Sequence, residues 1–118
     1  MTHHEVPSGE GHVYRLVFVP RARRAWIALD GSVRRLLWPL LARRLDQPRV
    51  ASAALSGKLA GCYKIKLRRQ GIRLIYSIED LRLVVTVLGI GKRENDESYD
   101  NTTTVLRRLK RRAMNAQD

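Results

Sequence analysis

Residues 62–91 read CYKIKLRRQGIRLIYSIEDLRLVVTVLGIG, and the fold turns on how this run divides. From Cys62 to Arg68 the chain alternates strictly. Tyr63, Ile65 and Leu67 point one way; Cys62, Lys64, Lys66 and Arg68 point the other. A period of two is that of a half-buried strand. Residues 69–71 (Arg-Gln-Gly) read as a turn, with Gly71 supplying a positive φ. Ile72 to Ile78 then alternates again, with Ile72, Leu74, Tyr76 and Ile78 on one side and Arg73, Ile75 and Ser77 on the other. Glu79-Asp80 turns the chain once more. Arg82 to Ile90 is almost wholly apolar, as a central strand requires, and Gly91 stops it.

The first two strands can be set in register from their apolar faces. Leu67 must pair with Ile72, because a slip of one residue would turn every side chain to the wrong side. That register puts Lys66 directly opposite Arg73, with Lys64 one step along the same face. Alternate strand residues lie about 6.5–7 Å apart, a span over which two ammonium groups reach one phosphodiester and its neighbour. Like charges opposite one another destabilise a hairpin. A concentrated cationic face of this kind therefore points to a bound anion, the alternative being a solvated basic surface.

Upstream, residues 1–12 are polar and contain Gly and Pro, and they read as a flexible leader. His3, His4 and His12 fall there, but no cysteine or second histidine cluster completes a metal site. Val13 to Val19 forms a first strand with Tyr14, Leu16 and Phe18 on one face. Pro20, favoured at a first helical position, opens a helix with Ala22, Ala25, Trp26 and Leu29 as its apolar stripe. Asp30-Gly31 breaks it, and Ser32 is the candidate cap of the next helix. Val33, Leu36, Leu37, Leu40, Leu41 and Leu45 make that helix amphipathic, with a bend expected at the interior Pro39. Trp26 and Trp38 read as packing residues. Downstream of Gly91 come Lys92-Arg93, an acidic patch (Glu94, Asp96, Glu97, Asp100), and a helix from about Thr102 to Ala113 with basic residues in its last turn. The expectation is an α+β fold: a small antiparallel sheet in the order β-α-α-β-β-β-α, two N-terminal helices on one face, and a C-terminal helix. The domain spans 13–113, followed by a tail at 114–118.

Composition bounds the partners. Among 118 residues, 23 Lys and Arg against 11 Asp and Glu give a formal charge of +12. Residues 1–60 carry ten basic and four acidic side chains, and residues 61–118 thirteen and seven, so the fold itself is basic rather than its tail. Such a charge predicts a polyanion or an acidic protein as partner. The single cysteine, Cys62, excludes an internal disulfide and fits a reducing compartment. The longest apolar stretch, Leu36 to Ala42, is interrupted by Pro39 and falls far short of the roughly 20 residues of a membrane span. A soluble, cytoplasmic protein is expected.

The block Cys62-Tyr63-Lys64-Ile65-Lys66-Leu67-Arg68, then Gly71-Ile72-Arg73-Leu74-Ile75-Tyr76, then Gly91-Lys92-Arg93-Glu94 and Tyr99, resembles the core of the RelE toxins of bacterial toxin–antitoxin pairs. The likeness covers roughly residues 13–110. It implies a ribosome-dependent endoribonuclease that cuts messenger RNA in the decoding (A) site. It also implies a cleavage set of Lys64, Lys66, Arg73, Arg93 and Tyr99, needing no cofactor and no metal. An acidic RelB-like antitoxin, the small ribosomal subunit and messenger RNA are the implied partners. The longer leader and the more basic C-terminal extension depart from the family pattern.

The chemistry is physically sensible without histidine or paired carboxylates. Cleavage needs the 2′-OH deprotonated, the phosphorane charge stabilised and the 5′-oxygen protonated. Lys64, Lys66 and Arg73 clamp the phosphate, and Arg93 stabilises charge and assists the leaving group. Tyr99 is the general base, since neighbouring cations favour its anion and lower a pKa that is otherwise near 10. Arg68, Arg69 and Lys92 are further candidates for RNA contact. So sparse a site should be weak on free RNA, which fits dependence on ribosomal positioning. Two rivals remain. A ParE-like, non-enzymatic inhibitor of DNA gyrase would share the fold but not need the Lys-x-Lys, Arg and Tyr set. A plain RNA-binding module would need exposed aromatics, and Tyr63 and Tyr76 face inward.

Overall fold

The computed structural model describes residues 6–92, 102–109 and 111. Its elements are strand β1 (Arg15–Phe18), helices α1 (Pro20–Ala28) and α2 (Gly31–Asp46), two short 3-10 turns (Ala51–Ala53 and Gly57–Leu59), and strands β2 (Cys62–Leu67), β3 (Ile72–Glu79) and β4 (Val84–Lys92). Residues 102–109 form a further helix, α3.

The strands lie in one sheet in the order β1-β4-β3-β2, with the apolar β4 inside it as its composition requires. β2 pairs with β3, and β3 with β4, antiparallel. β1 differs from the antiparallel expectation: it joins β4 in parallel, Leu16 beside Val85 and Phe18 beside Val87. Alternation along a strand specifies which residues face the core, not the direction of its neighbour. A connection as long as the whole helical layer and two strands allows either sense. Gly71 adopts φ +66°, the left-handed conformation that the β2–β3 turn needs.

Both faces of the sheet are covered. On one, Ala22 and Trp26 of α1 and Leu37, Leu41 and Leu45 of α2 pack on Leu16, Ile65, Leu67, Leu74, Tyr76, Val85, Val87 and Ile90. On the other, Val105 of α3 packs with Leu59, Cys62, Ile75 and Leu88. A register shift between Ile75 and Tyr76 reconciles the two faces. Ile75 pairs with Gly89 and Tyr76 with Val87, which leaves Leu88 as the extra residue of a bulge in β4. The bulge keeps Val85, Val87 and Ile90 all on the α1/α2 side.

Local details refine the expected boundaries. Asp30, not Ser32, caps α2, its carboxylate accepting from the Ser32 backbone N–H at 2.9 Å. Helix α2 runs through Pro39, which is exposed, while Leu36 at 48% exposure drops out of the expected stripe. Residues 6–12, expected as part of a loose leader, are tied to the domain. Ser8 accepts from the Leu16 N–H at 2.9 Å, and Asp46 receives the Val13 N–H and pairs with the His12 ring at 3.0 Å. The sequence signal there was composition alone, which cannot see partners 33 and 34 residues away.

Candidate functional site: a cationic face on the β2–β3 hairpin

The register sets the charged face. Lys66 pairs with Arg73, Lys64 with Ile75 and Leu67 with Ile72, as the apolar alternation predicts. The outer edge of β2 shows which of these pairs are close. The carbonyl of Cys62 accepts from the Leu55 N–H at 2.9 Å, and that of Lys64 from Arg44 Nη1 at 3.1 Å. Both carbonyls therefore point away from β3, and by the two-residue period so does that of Lys66. The pairs Lys64–Ile75 and Lys66–Arg73 are thus the non-hydrogen-bonded kind, with Cα atoms about 4.5 Å apart and side chains at closest approach.

Arg73 corrects the expectation of an open position: it is only 7% exposed. It lies on the same face of β3 as Ile75, the face against which Val105 of α3 packs. Lys64 and Lys66 are half-buried. Opposite Arg73 and Ile75, β4 presents Gly91 and Gly89, which place no side chain beside them. The cationic side chains of β2 and β3 thus lie beside a stretch of β4 that carries no side chain on that face. Two concavities among the described residues lie elsewhere. One of about 520 Å³ is formed by the 8–13 loop with Arg15, Arg82 and Leu83, and one of about 240 Å³ lies between Lys58 and α3. The hairpin face is the candidate site, because charge and register converge there.

The remaining predicted residues divide. Arg68 and Arg69 are exposed in the β2–β3 turn, at the same end of the hairpin as Lys66 and Arg73. Lys92 pairs with Ile72, which puts it on the α1/α2 face, away from the lysine pair. Arg93 and Tyr99 lie outside the described residues. Among the described residues no group of three His, Cys, Asp or Glu side chains could hold a metal ion.

Beneath the hairpin is a polar network that sequence reasoning missed. Tyr76 is fully buried, stacks on Tyr63 at 5.7 Å between ring centroids, and donates from its hydroxyl to the Pro48 carbonyl at 2.6 Å. Arg44 Nη1 donates to the same hydroxyl at 2.8 Å while holding the Lys64 carbonyl. Burial pushes the Tyr76 phenol above its ordinary pKa, against the opposing pull of Arg44. A second node fastens the hairpin's far end: Asp80 accepts two hydrogen bonds from Arg49, at 2.7 and 2.6 Å, and one from the Tyr14 hydroxyl at 2.9 Å. Those bonds, Arg49 first, hold the Asp80 carboxyl below the usual range. Nothing in the local sequence marks Arg44, which reads as one more basic residue on the polar side of α2.

Sheet, bulge and hairpin face together define a small basic α+β domain with a cationic site on two adjacent strands. Over 86 residues the chain is 43% identical to the mRNA interferase toxin RelE of Escherichia coli K12, a match covering 73% of this chain and 90% of that relative. A putative RelE-like toxin protein of E. coli is 37% identical over 87 residues, covering 74% and 90%. Among solved structures, the isolated E. coli RelE toxin superposes with a TM-score of 0.66 at 39% identity, covering 79% of this chain and 98% of that one. A chain of the intact E. coli RelBE toxin–antitoxin complex does so at 0.64 and 42%, covering 67% and 95%. No protein-family model matches. The chain belongs to the RelE toxin family. Among the described residues no helix is long and apolar enough to cross a membrane.

Proposed function

We infer that this protein is the toxin of a toxin–antitoxin pair and an endoribonuclease that cleaves messenger RNA in the ribosomal A site, in the cytoplasm. The observation that carries the reading is the Lys66–Arg73 pair. Two like charges are set face to face at the closest spacing a sheet offers, with Lys64 one step away, in a chain whose relatives are named mRNA interferases. A phosphate lying against such a pair meets positive charge from both strands at once.

The 2′-oxygen attacks phosphorus, and the bond to the 5′-oxygen breaks. Tyr99 takes the 2′-OH proton, and the departing 5′-oxygen, its charge stabilised by Arg93, takes a proton from water, leaving a 2′,3′-cyclic phosphate on the upstream strand. Lys64, Lys66 and Arg73 hold the non-bridging oxygens while negative charge builds on the phosphorane. Arg68 and Arg69 extend the cationic track along the RNA backbone. The +12 charge calls for neutralisation when the toxin is idle, and an acidic RelB-like antitoxin supplies it.

The test is purified chain added to ribosomes programmed with a defined message, with cut sites mapped by primer extension. Cuts confined to the A-site codon, dependent on the ribosome and strongly slowed in Lys64→Met, are the expected result. An intact message together with inhibited DNA gyrase would overturn the reading.

A further inference from the structure

Among the described residues β2 is an edge strand of the sheet, so the outward backbone groups of its first half are held by something other than a full-length neighbour. Cover is supplied in pieces. Ala54 bridges Tyr63, and the Leu55 N–H bonds the Cys62 carbonyl, which covers the first half of the strand. At Lys64 a side chain takes over: Arg44, reaching from α2, donates to the carbonyl at 3.1 Å. The guanidinium is itself held. It donates to the Tyr76 hydroxyl at 2.8 Å and lies 5.7 Å from the centre of that ring, and Tyr76 is anchored to Pro48.

We propose that Arg44 is a positioning residue for cleavage: it substitutes for a missing strand at Lys64 and so fixes where the Lys64 ammonium meets the phosphate. The proposal rests on the functional reading above, in which Lys64 belongs to the clamp. The carbonyl of Lys64 and its side chain share one Cα, so freedom at the edge becomes freedom of the ammonium, amplified along a four-carbon stem. A displacement near 1 Å at a catalytic group can cost about 100-fold in rate. Arg44 touches neither substrate nor reacting atoms.

The experiment is a double-mutant cycle on single-turnover cleavage by the full chain on saturating programmed ribosomes. Arg44→Met should lower the rate roughly 10–100-fold with ribosome affinity unchanged, since the cationic face keeps its charges. In a Lys64→Met background the same change should cost less than about threefold, because nothing is left to position. Arg44→Lys, which keeps one cationic donor, should stay within about fivefold of wild type. Tyr76→Phe leaves the Arg44–Lys64 bond in place and should stay within about threefold, although it weakens the fold. If Arg44→Met does not fold, the cycle is run with Arg44→Gln. A rate within threefold of wild type for that variant, or losses that multiply in the double mutant, would overturn the proposal and leave the clamp standing. Normal cleavage by Lys64→Met alone would overturn both.

Discussion

Tyr76→Phe removes one oxygen from a place where it makes two hydrogen bonds, and its cost can be worked from the structure. The ring, its stacking on Tyr63 and its burial all survive the change. The bond received from Arg44 at 2.8 Å is charge-assisted, a class worth about 1.5–3 kcal/mol. The bond given to Pro48 at 2.6 Å leaves behind the carbonyl of a buried residue, at about 1–3 kcal/mol. Two effects offset this: Arg44 retains the Lys64 carbonyl, and the phenol no longer has to be desolvated. The expected net loss is about 2–3 kcal/mol, or roughly 6–15 °C in Tm for a chain of this length. Urea unfolding in an inactive Tyr99→Phe background measures it, with the slope against denaturant unchanged. The pH dependence adds a signature. Burial raises the folded-state pKa of Tyr76, so its contribution is fully present below the ordinary tyrosine value of about 10 and is lost as pH climbs through the raised value. Phenylalanine has no such alkaline limb. A loss under about 0.5 kcal/mol, with that limb intact, would refute the network as drawn.

Three further outcomes follow from individual residues. Pro39 is exposed inside α2 and cannot bond the Arg35 carbonyl, so Pro39→Ala should stabilise the domain by about 1–3 kcal/mol in thermal melts, and a lower Tm would mean that the proline shapes the packing of Leu37 and Leu41. The Asp80 carboxyl is held below its ordinary pKa by Arg49 and Tyr14, so its contribution is present above the unfolded value and lost as pH falls through the folded one; Asp80→Asn should flatten the acid side of the stability profile. If Tyr99 is the base, Tyr99→Phe should cut single-turnover cleavage by roughly 10²–10⁴-fold and leave ribosome binding intact, and a loss below about threefold would remove the hydroxyl from the mechanism.

What the sequence made legible follows from the range of the forces involved. The β2–β3 register was readable because each apolar residue of the hairpin votes on the same pairing, and one turn with Gly71 joins the two strands. The amphipathic stripe of α2 was readable for the same reason, although exposed Leu36 shows that period alone overestimates the width of the buried face. The parallel entry of β1 was not readable, nor was the burial of Arg73. The first depends on β4, an element distant in sequence whose pairing leaves no mark on β1 itself, and the second on tertiary packing that strand alternation does not encode.

Arg44 is the sharper case. Twenty residues separate it from the Lys64 carbonyl and 32 from the Tyr76 hydroxyl, so no local pattern could have joined them. The lysines that define the candidate site are conspicuous because the hairpin's alternation sets them on one face. What holds their strand at its unpaired edge is inconspicuous, because any long donor on the right turn of α2 would serve. On the function proposed above, the site divides its information unevenly: the groups assigned to the phosphate are written into the strand, and their placement is supplied from elsewhere. On that proposal the sensitive test of the site is not a charge on the hairpin but Arg44, whose replacement leaves Lys64, Lys66 and Arg73 all present and is expected to change only where Lys64 sits.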